Sequence, residues 1–136
     1  MDMNIVEVIG GPAKEREIVE KTVHFCIQKL LPRVRTLDIQ VKLTKCNAYG
    51  YCLMTDNHKT FELEIRKSMN LYDLISTVCH EMVHVKQYYR KEMNGDFNKW
   101  KTQKIKESVD YMDLPWEKEA FRMEEKLAIE CFKEIS

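Results

Sequence analysis

Residues 71–93 read LYDLISTVCHEMVHVKQYYRKEM, and this stretch decides the fold. Its apolar residues recur every three or four positions, which predicts an amphipathic helix with one buried face. The residues of that face are Leu71, Leu74, Ile75, Val78, Met82 and Val85. Asn70 can cap the amino end, and Asp73 lies in the first turn, where a negative charge is favourable. Because Gly95 is a natural carboxyl-terminal stop, we expect the helix to cover about 71–93.

The same helix contains the pattern His80-Glu81-Met82-Val83-His84. Two histidines four residues apart project from one face of a helix about one turn apart, so both can bind one ion. Glu81 lies beside them, where its carboxylate can take a proton from a metal-bound water. Imidazole and carboxylate ligands suit Zn²⁺, and a catalytic zinc site leaves its fourth position to water. The pattern therefore predicts zinc ligands at His80 and His84 and a general base at Glu81.

The third ligand is not given by this pattern. A metzincin-type extension needs Gly at position 87 and His at position 90, where this chain has Gln87 and Arg90. An acidic ligand downstream remains, and residues 115–120 offer Glu117 and Glu119. These two are about 200° apart on a helix, so only one can face an ion. Glu119 lies at the margin of the apolar stripe next to Ala120 and is preferred, whereas Glu117, on the other side of the stripe, stays open.

Other predicted helices and strands lie before and after this helix in the sequence. We expect a helix that a proline ends, then strands in which apolar and polar residues alternate, and a last helix that begins at Pro115. The polar connection before Pro115 has room for a short amphipathic helix. The expected bounds are about 12–31 for the first helix, 37–43, 48–54 and 61–65 for the strands, 96–112 for the connection, and about twenty residues for the last helix. The fold class is therefore α+β, with a three-stranded, mainly antiparallel sheet.

Composition sets the class of protein. The 136 residues carry 22 Lys and Arg against 22 Asp and Glu, so we expect one neutral domain over 1–136 without the basic excess typical of nucleic-acid binding. No window approaches the roughly eighteen consecutive apolar residues of a membrane helix. The first residues lack the basic region of a secretory signal, which predicts a cytoplasmic protein. The oligomeric state is left open by the sequence, with a monomer as the expectation. Five cysteines without a Cys-x-x-Cys pair indicate reduced packing residues rather than disulfides.

A small sheet, a His80-Glu81-x-x-His84 helix and a downstream Glu-Ala helix together resemble zincin metallopeptidases of the gluzincin type. Over about residues 37–130 the chain is similar to compact SprT-like metallopeptidases of tailed phages, on the first motif and on Pro115-Trp116-Glu117-Lys118-Glu119-Ala120. The resemblance implies a minimal zincin-like fold and a zinc-dependent peptidase with a peptide or protein substrate, acting in the host cytoplasm if phage-encoded. In gluzincins the ligand glutamate is often followed by Ala, which favours Glu119.

One motif departs from the SprT-like pattern. SprT-type proteases carry their third ligand in a His-Gly-x-x-Phe stretch, whereas this chain has Asn94-Gly95-Asp96-Phe97 there, without the histidine. That departure weakens the transfer of a role in DNA-associated proteolysis. The alternatives to a general peptidase are such a SprT-like protease acting on DNA-associated proteins, or a non-catalytic zinc-binding interaction module.

The resemblance also assigns a substrate strand. Asn47-Ala48-Tyr49-Gly50-Tyr51 is similar to the edge strand of thermolysin-like enzymes, which implies that Ala48, Tyr49 and Gly50 bind a peptide by antiparallel backbone pairing. Independently, a glycine within a strand indicates close approach of another backbone. The donor that stabilises the oxyanion is left open among Tyr111, Tyr88 and His58.

Overall fold

The computed structural model describes residues 3–94 and 98–135. Within these residues the chain forms a mixed four-stranded sheet, three α-helices and a short two-stranded hairpin. The elements are β1 (Ile5–Gly10), α1 (Ala13–Leu30), β2 (Asp38–Thr44), β3 (Gly50–Met54), β4 (Thr60–Arg66), α2 (Leu71–Tyr89), β5 (Lys99–Trp100), β6 (Gln103–Lys104), a 3-10 turn (Tyr111–Asp113) and α3 (Pro115–Ile135). The α+β class and the three long helices agree with the sequence analysis.

The sheet differs from the expected one. Its order is β1-β2-β4-β3, with β1, β2 and β4 parallel and only β3 antiparallel to its neighbour. The prediction of three mainly antiparallel strands is therefore wrong. Strand β1 was not predicted because residues 5–9 hold four apolar residues and one glutamate, a run without regular alternation. In the structure only Val6 and Val8 of this edge strand are turned partly toward the core.

One face of the sheet forms the core. In β2 the residues Ile39, Val41 and Leu43 are buried while their neighbours are not, and β4 repeats this alternation. The buried residues of β4 are Phe61, Leu63 and Ile65. Parallel register places these two sets side by side, so that α1 and α2 cover a continuous apolar surface.

Helix α2 is capped at both ends by local chemistry. The Asn70 side chain accepts a hydrogen bond from the Asp73 backbone N–H, as the sequence predicts. The helix ends at Tyr89, four residues before the expected end, because Lys91 adopts a left-handed backbone conformation at φ +57°. Backbone N–H groups of residues 91 and 92 then donate to the carbonyls of residues 88 and 87, the pattern of a Schellman motif. The expected stop, Gly95, lies outside the described residues.

Helix α3 packs antiparallel against α2. Contacts pair Gln87 with Trp116 at one end and Ser76 with Glu124 at the other. Between the helices, the described part of the connection forms the β5–β6 hairpin and the 3-10 turn rather than an amphipathic helix. No helix among the described residues is both long and apolar enough to span a bilayer.

Candidate metal centre

Three buried side chains converge where the middle of α2 meets the first turn of α3. Oε1 of Glu117 lies 3.0 Å from Nε2 of His80 and 3.2 Å from Nε2 of His84. The residues are 7%, 8% and 7% exposed, respectively, and one ligand atom of each lies within 4.8 Å of the others. The helical spacing of the two histidines therefore brings both rings to one point, as the sequence predicts.

The outer nitrogen of His80 is held by a carboxylate. Its Nδ1 lies 3.1 Å from Oε1 of Glu124, whose other oxygen accepts a hydrogen bond of 2.8 Å from the Ser76 hydroxyl. An ionised carboxylate can only accept, so the proton lies on Nδ1 of His80. In the neutral ring, Nε2 then presents its lone pair to Glu117.

The outer nitrogen of His84 is held in the same sense by an amide. Its Nδ1 lies 2.8 Å from Oε1 of the fully buried Gln87. The Gln87 amide nitrogen donates to the Trp116 carbonyl at 2.9 Å and to Oε1 of Glu119 at 3.1 Å. Because both of those partners are acceptors, the amide orientation is fixed and its oxygen must face the ring. Neutral His84 therefore also directs a lone pair inward.

Two imidazole lone pairs and a carboxylate oxygen thus face one another in a site shielded from water. Such a group of acceptors is stable only around a cation, which is either a proton or a metal ion. Burial lowers the pKa of His80, but its hydrogen bonds to Glu117 and Glu124 outweigh that effect and raise the pKa to about 10. Burial raises the pKa of Glu117, whereas His80 and His84 lower it to about 2. Two imidazoles and one carboxylate are the ligands of a catalytic zinc site, so these residues fit Zn²⁺.

The structure does not bring Glu119, the preferred third ligand of the sequence analysis, to the histidines. Its Oε1 lies 2.9 Å from Nζ of Lys86, which also contacts Oε1 of Glu92 at 2.8 Å. Helix α3 is rotated so that Glu117 faces α2 at the two rings while Glu119 faces it one turn further along. The overlooked signal was Lys86, a basic residue on a largely buried helix, which needs an acidic partner.

Sequence reasoning also missed the two residues that hold the outer nitrogens. Glu124 lies seven residues after Glu117, and Gln87 lies three residues after His84. Both spacings return to the same face of a helix, so each could have been found once the ligand beside it was known.

Glu81 lies next to this centre on the wall of a cleft of about 390 Å³. It is 6% exposed, and burial raises the pKa of its carboxyl although His84 and His80 act in the opposite direction. Ala48 and Gly50 line the same cleft from the edge of the sheet, while Tyr49 lines only a smaller space of about 200 Å³ beside it.

Among the described residues, the edge strand β3 has a row of backbone groups without a sheet partner beside the cleft. The Tyr49 carbonyl accepts a hydrogen bond of 2.8 Å from the Arg66 N–H, so its backbone groups face β4. Because these directions alternate in an antiparallel pair, the N–H and C=O of Gly50 and Cys52 face away from the sheet. The close approach expected at Gly50 involves a side chain as well as backbone, since a Cβ there would lie 2.9 Å from Cγ2 of Thr77.

The three candidate oxyanion donors occupy different places. Tyr111 lines both spaces, and its burial together with the neighbouring negative charge of Glu117 raises the pKa of its hydroxyl. Tyr88 lines only the larger space. His58 packs its ring against Tyr89, with the centroids 5.8 Å apart, and lines neither.

Comparison with protein-family models, with curated proteins and with solved structures finds no match to this chain.

Proposed function

We propose that this chain is a zinc-dependent metallopeptidase whose metal ligands are His80, His84 and Glu117. The observation that carries the proposal is the convergence of three buried acceptor groups, with the outer nitrogen of each histidine facing an acceptor oxygen, of Glu124 for His80 and of Gln87 for His84. Among the described residues, three side chains have ligand atoms close enough to share one ion. A structural zinc site is closed by four protein ligands, so three favour the catalytic type over a non-catalytic module.

The arrangement supports a zincin-like fold of gluzincin type. An HExxH helix lies beneath a sheet with one antiparallel edge strand, and the third acidic group comes from a helix further along the chain. We retain the similarity to SprT-like phage enzymes as part of this proposal, with Glu117 in place of Glu119.

Several polar groups of the cleft can then be assigned roles in peptide hydrolysis. A zinc ion held by the three ligands would acidify a water and polarise the scissile carbonyl. Glu81 takes the proton of the attacking water and passes it to the leaving amine. The Tyr111 hydroxyl donates a hydrogen bond to the developing oxyanion. The free backbone groups of Gly50 and Cys52 pair with the peptide and hold it extended across the cleft.

The test is Glu81→Gln beside wild type, with zinc content measured by elemental analysis and hydrolysis measured on a fluorescent casein. We expect one zinc per chain in both proteins, because Glu81 is not a ligand. We expect hydrolysis by the variant to fall by about 100-fold or more, the usual contribution of a general base. The exposed Glu125→Gln on α3 is the matched control and should retain both properties.

Full activity of Glu81→Gln would remove Glu81 from this role. One zinc per chain with no hydrolysis by wild type would favour the non-catalytic module instead.

A further inference from the structure

The cleft beside His80 and Glu81 has two lobes of different chemistry. Five residues are shared by both lobes: Ala48, Gly50, His80, Glu81 and Tyr111. The larger lobe is the space of about 390 Å³, and it is also lined by the ligands His84 and Glu117 and by Tyr51, Cys52, Tyr88, Met93 and Trp116. The smaller lobe, of about 200 Å³, is lined beyond the shared residues by Tyr49, Thr77, Phe121 and Glu124. Since pockets for small molecules begin at about 300 Å³, the smaller lobe has room for one side chain.

The smaller lobe combines aromatic rings with a carboxylate. The Phe121 ring lies 4.7 Å from the His80 ring and 6.5 Å from the Tyr111 ring, centroid to centroid. The Glu124 side chain is 18% exposed and uses one acceptor site of each oxygen, toward His80 and Ser76. A carboxylate has about four such sites, so each oxygen can accept once more.

The residues that line the smaller lobe, all within the described part of the chain, include neither Lys nor Arg. Inside the lobe the Glu124 carboxylate is therefore paired only with the His80 ring, which is neutral when it binds a metal ion. Aromatic faces and carboxylates both attract ammonium and guanidinium groups. This chemistry favours a basic side chain over an apolar or acidic one.

The direction of the substrate follows from the edge strand. A peptide that pairs antiparallel with β3 runs from Cys52 toward Ala48, so its residues after the scissile bond lie toward Ala48 and Tyr49. That end of the strand lines the smaller lobe. We propose that this lobe binds the Lys or Arg side chain of the residue directly after the scissile bond, with Glu124 as the specificity-determining residue. The proposal rests on the proposed peptidase function and adds its substrate class.

The test compares alanine-rich decapeptides of one sequence that carry Lys, Arg, norleucine or Glu at a single central position. For wild type, we expect kcat/KM for the bond before Lys or Arg to exceed that before norleucine by about tenfold or more, the effect of one charge-assisted hydrogen bond. Cleavage positions are read by mass spectrometry. Glu124→Gln keeps an amide oxygen for Nδ1 of His80 but removes the charge, so this ratio should fall to about one. Glu125→Gln, at the exposed neighbouring position, should leave the ratio unchanged.

Binding supplies a readout that does not need turnover. The same peptides are titrated into Glu81→Gln and into Glu81→Gln/Glu124→Gln by fluorescence anisotropy, and only the first should prefer Lys to norleucine by about tenfold. Equal binding of the two peptides, or a preference that survives loss of Glu124, overturns the proposed subsite. If no peptide is cut but the Lys preference is present and depends on Glu124, the subsite is supported and the peptidase function falls.

Discussion

The choice between Glu117 and Glu119 as zinc ligand gives the sharpest prediction. The two residues are two positions apart on one helix, both are acidic and both face α2, so the substitutions Glu117→Gln and Glu119→Gln are closely matched in size and charge. The position of Glu119 beside Ala120 favours it as the ligand, whereas in the structure Glu117 is the residue that lies at the two rings.

The expected loss of zinc affinity depends on whether each carboxylate would bind the ion directly or act through another residue. Substituting a residue that orients a ligand typically reduces metal affinity by about 10- to 100-fold, and Glu119 acts one step further away, through Gln87 on His84. We therefore expect Glu119→Gln to weaken zinc binding by less than about tenfold. Glu117→Gln removes the ligand itself, and its effect should exceed about 100-fold.

The assay is zinc competition against a chromophoric chelator at fixed pH, with Glu125→Gln as the surface control. Thermal unfolding of each metal-free protein shows whether the fold is intact. A larger loss of affinity in Glu119→Gln than in Glu117→Gln, with both proteins folded, would refute the assignment of Glu117.

Three further predictions concern protons and backbone. His80 has a pKa of about 10, so it holds a proton that zinc must displace. Zinc affinity should therefore rise from pH 6 to pH 9, and calorimetry in buffers of different ionisation enthalpy should show at least one proton released. A zinc affinity that does not change with pH contradicts this prediction. Gly50→Ala should lower the free energy of unfolding by about 1–3 kcal/mol in urea titration, and Thr77→Ser, which removes the opposing methyl, should restore part of it. Lys91→Gly should raise the free energy of unfolding by about 1 kcal/mol while Lys91→Ala, equally strained at φ +57°, should not.

The helices and two of the three candidate ligands, His80 and His84, could be predicted from the sequence because they depend on local periodicity. The apolar stripe of 71–85 fixes which face of α2 is buried, and the spacing of His80 and His84 places both rings on it. The same local rules predicted the Asn70 cap, which the structure confirms. Each of these features depends on the spacing of residues along one helix.

What could not be predicted depends on contacts between distant segments. Whether Glu117 or Glu119 reaches the histidines is decided by the rotation of α3 against α2, and in the observed rotation Glu119 pairs with Lys86 instead. The parallel pairing of β1 with β2 likewise depends on a crossover through α1, which strand periodicity does not encode. In both cases a local pattern left two arrangements open, and tertiary packing chose between them.

The candidate centre joins parts of the chain that are far apart in sequence, since Glu117 follows His80 by 37 residues. An ion bound there would act as a cross-link that closes the long excursion through the β5–β6 hairpin and pins the start of α3 to the middle of α2. Closing a loop of that size restricts the unfolded chain, so occupancy would set how firmly the last helix is held. Chelation would then loosen α3 first, and the connection before Pro115 would be the place where a second protease cuts.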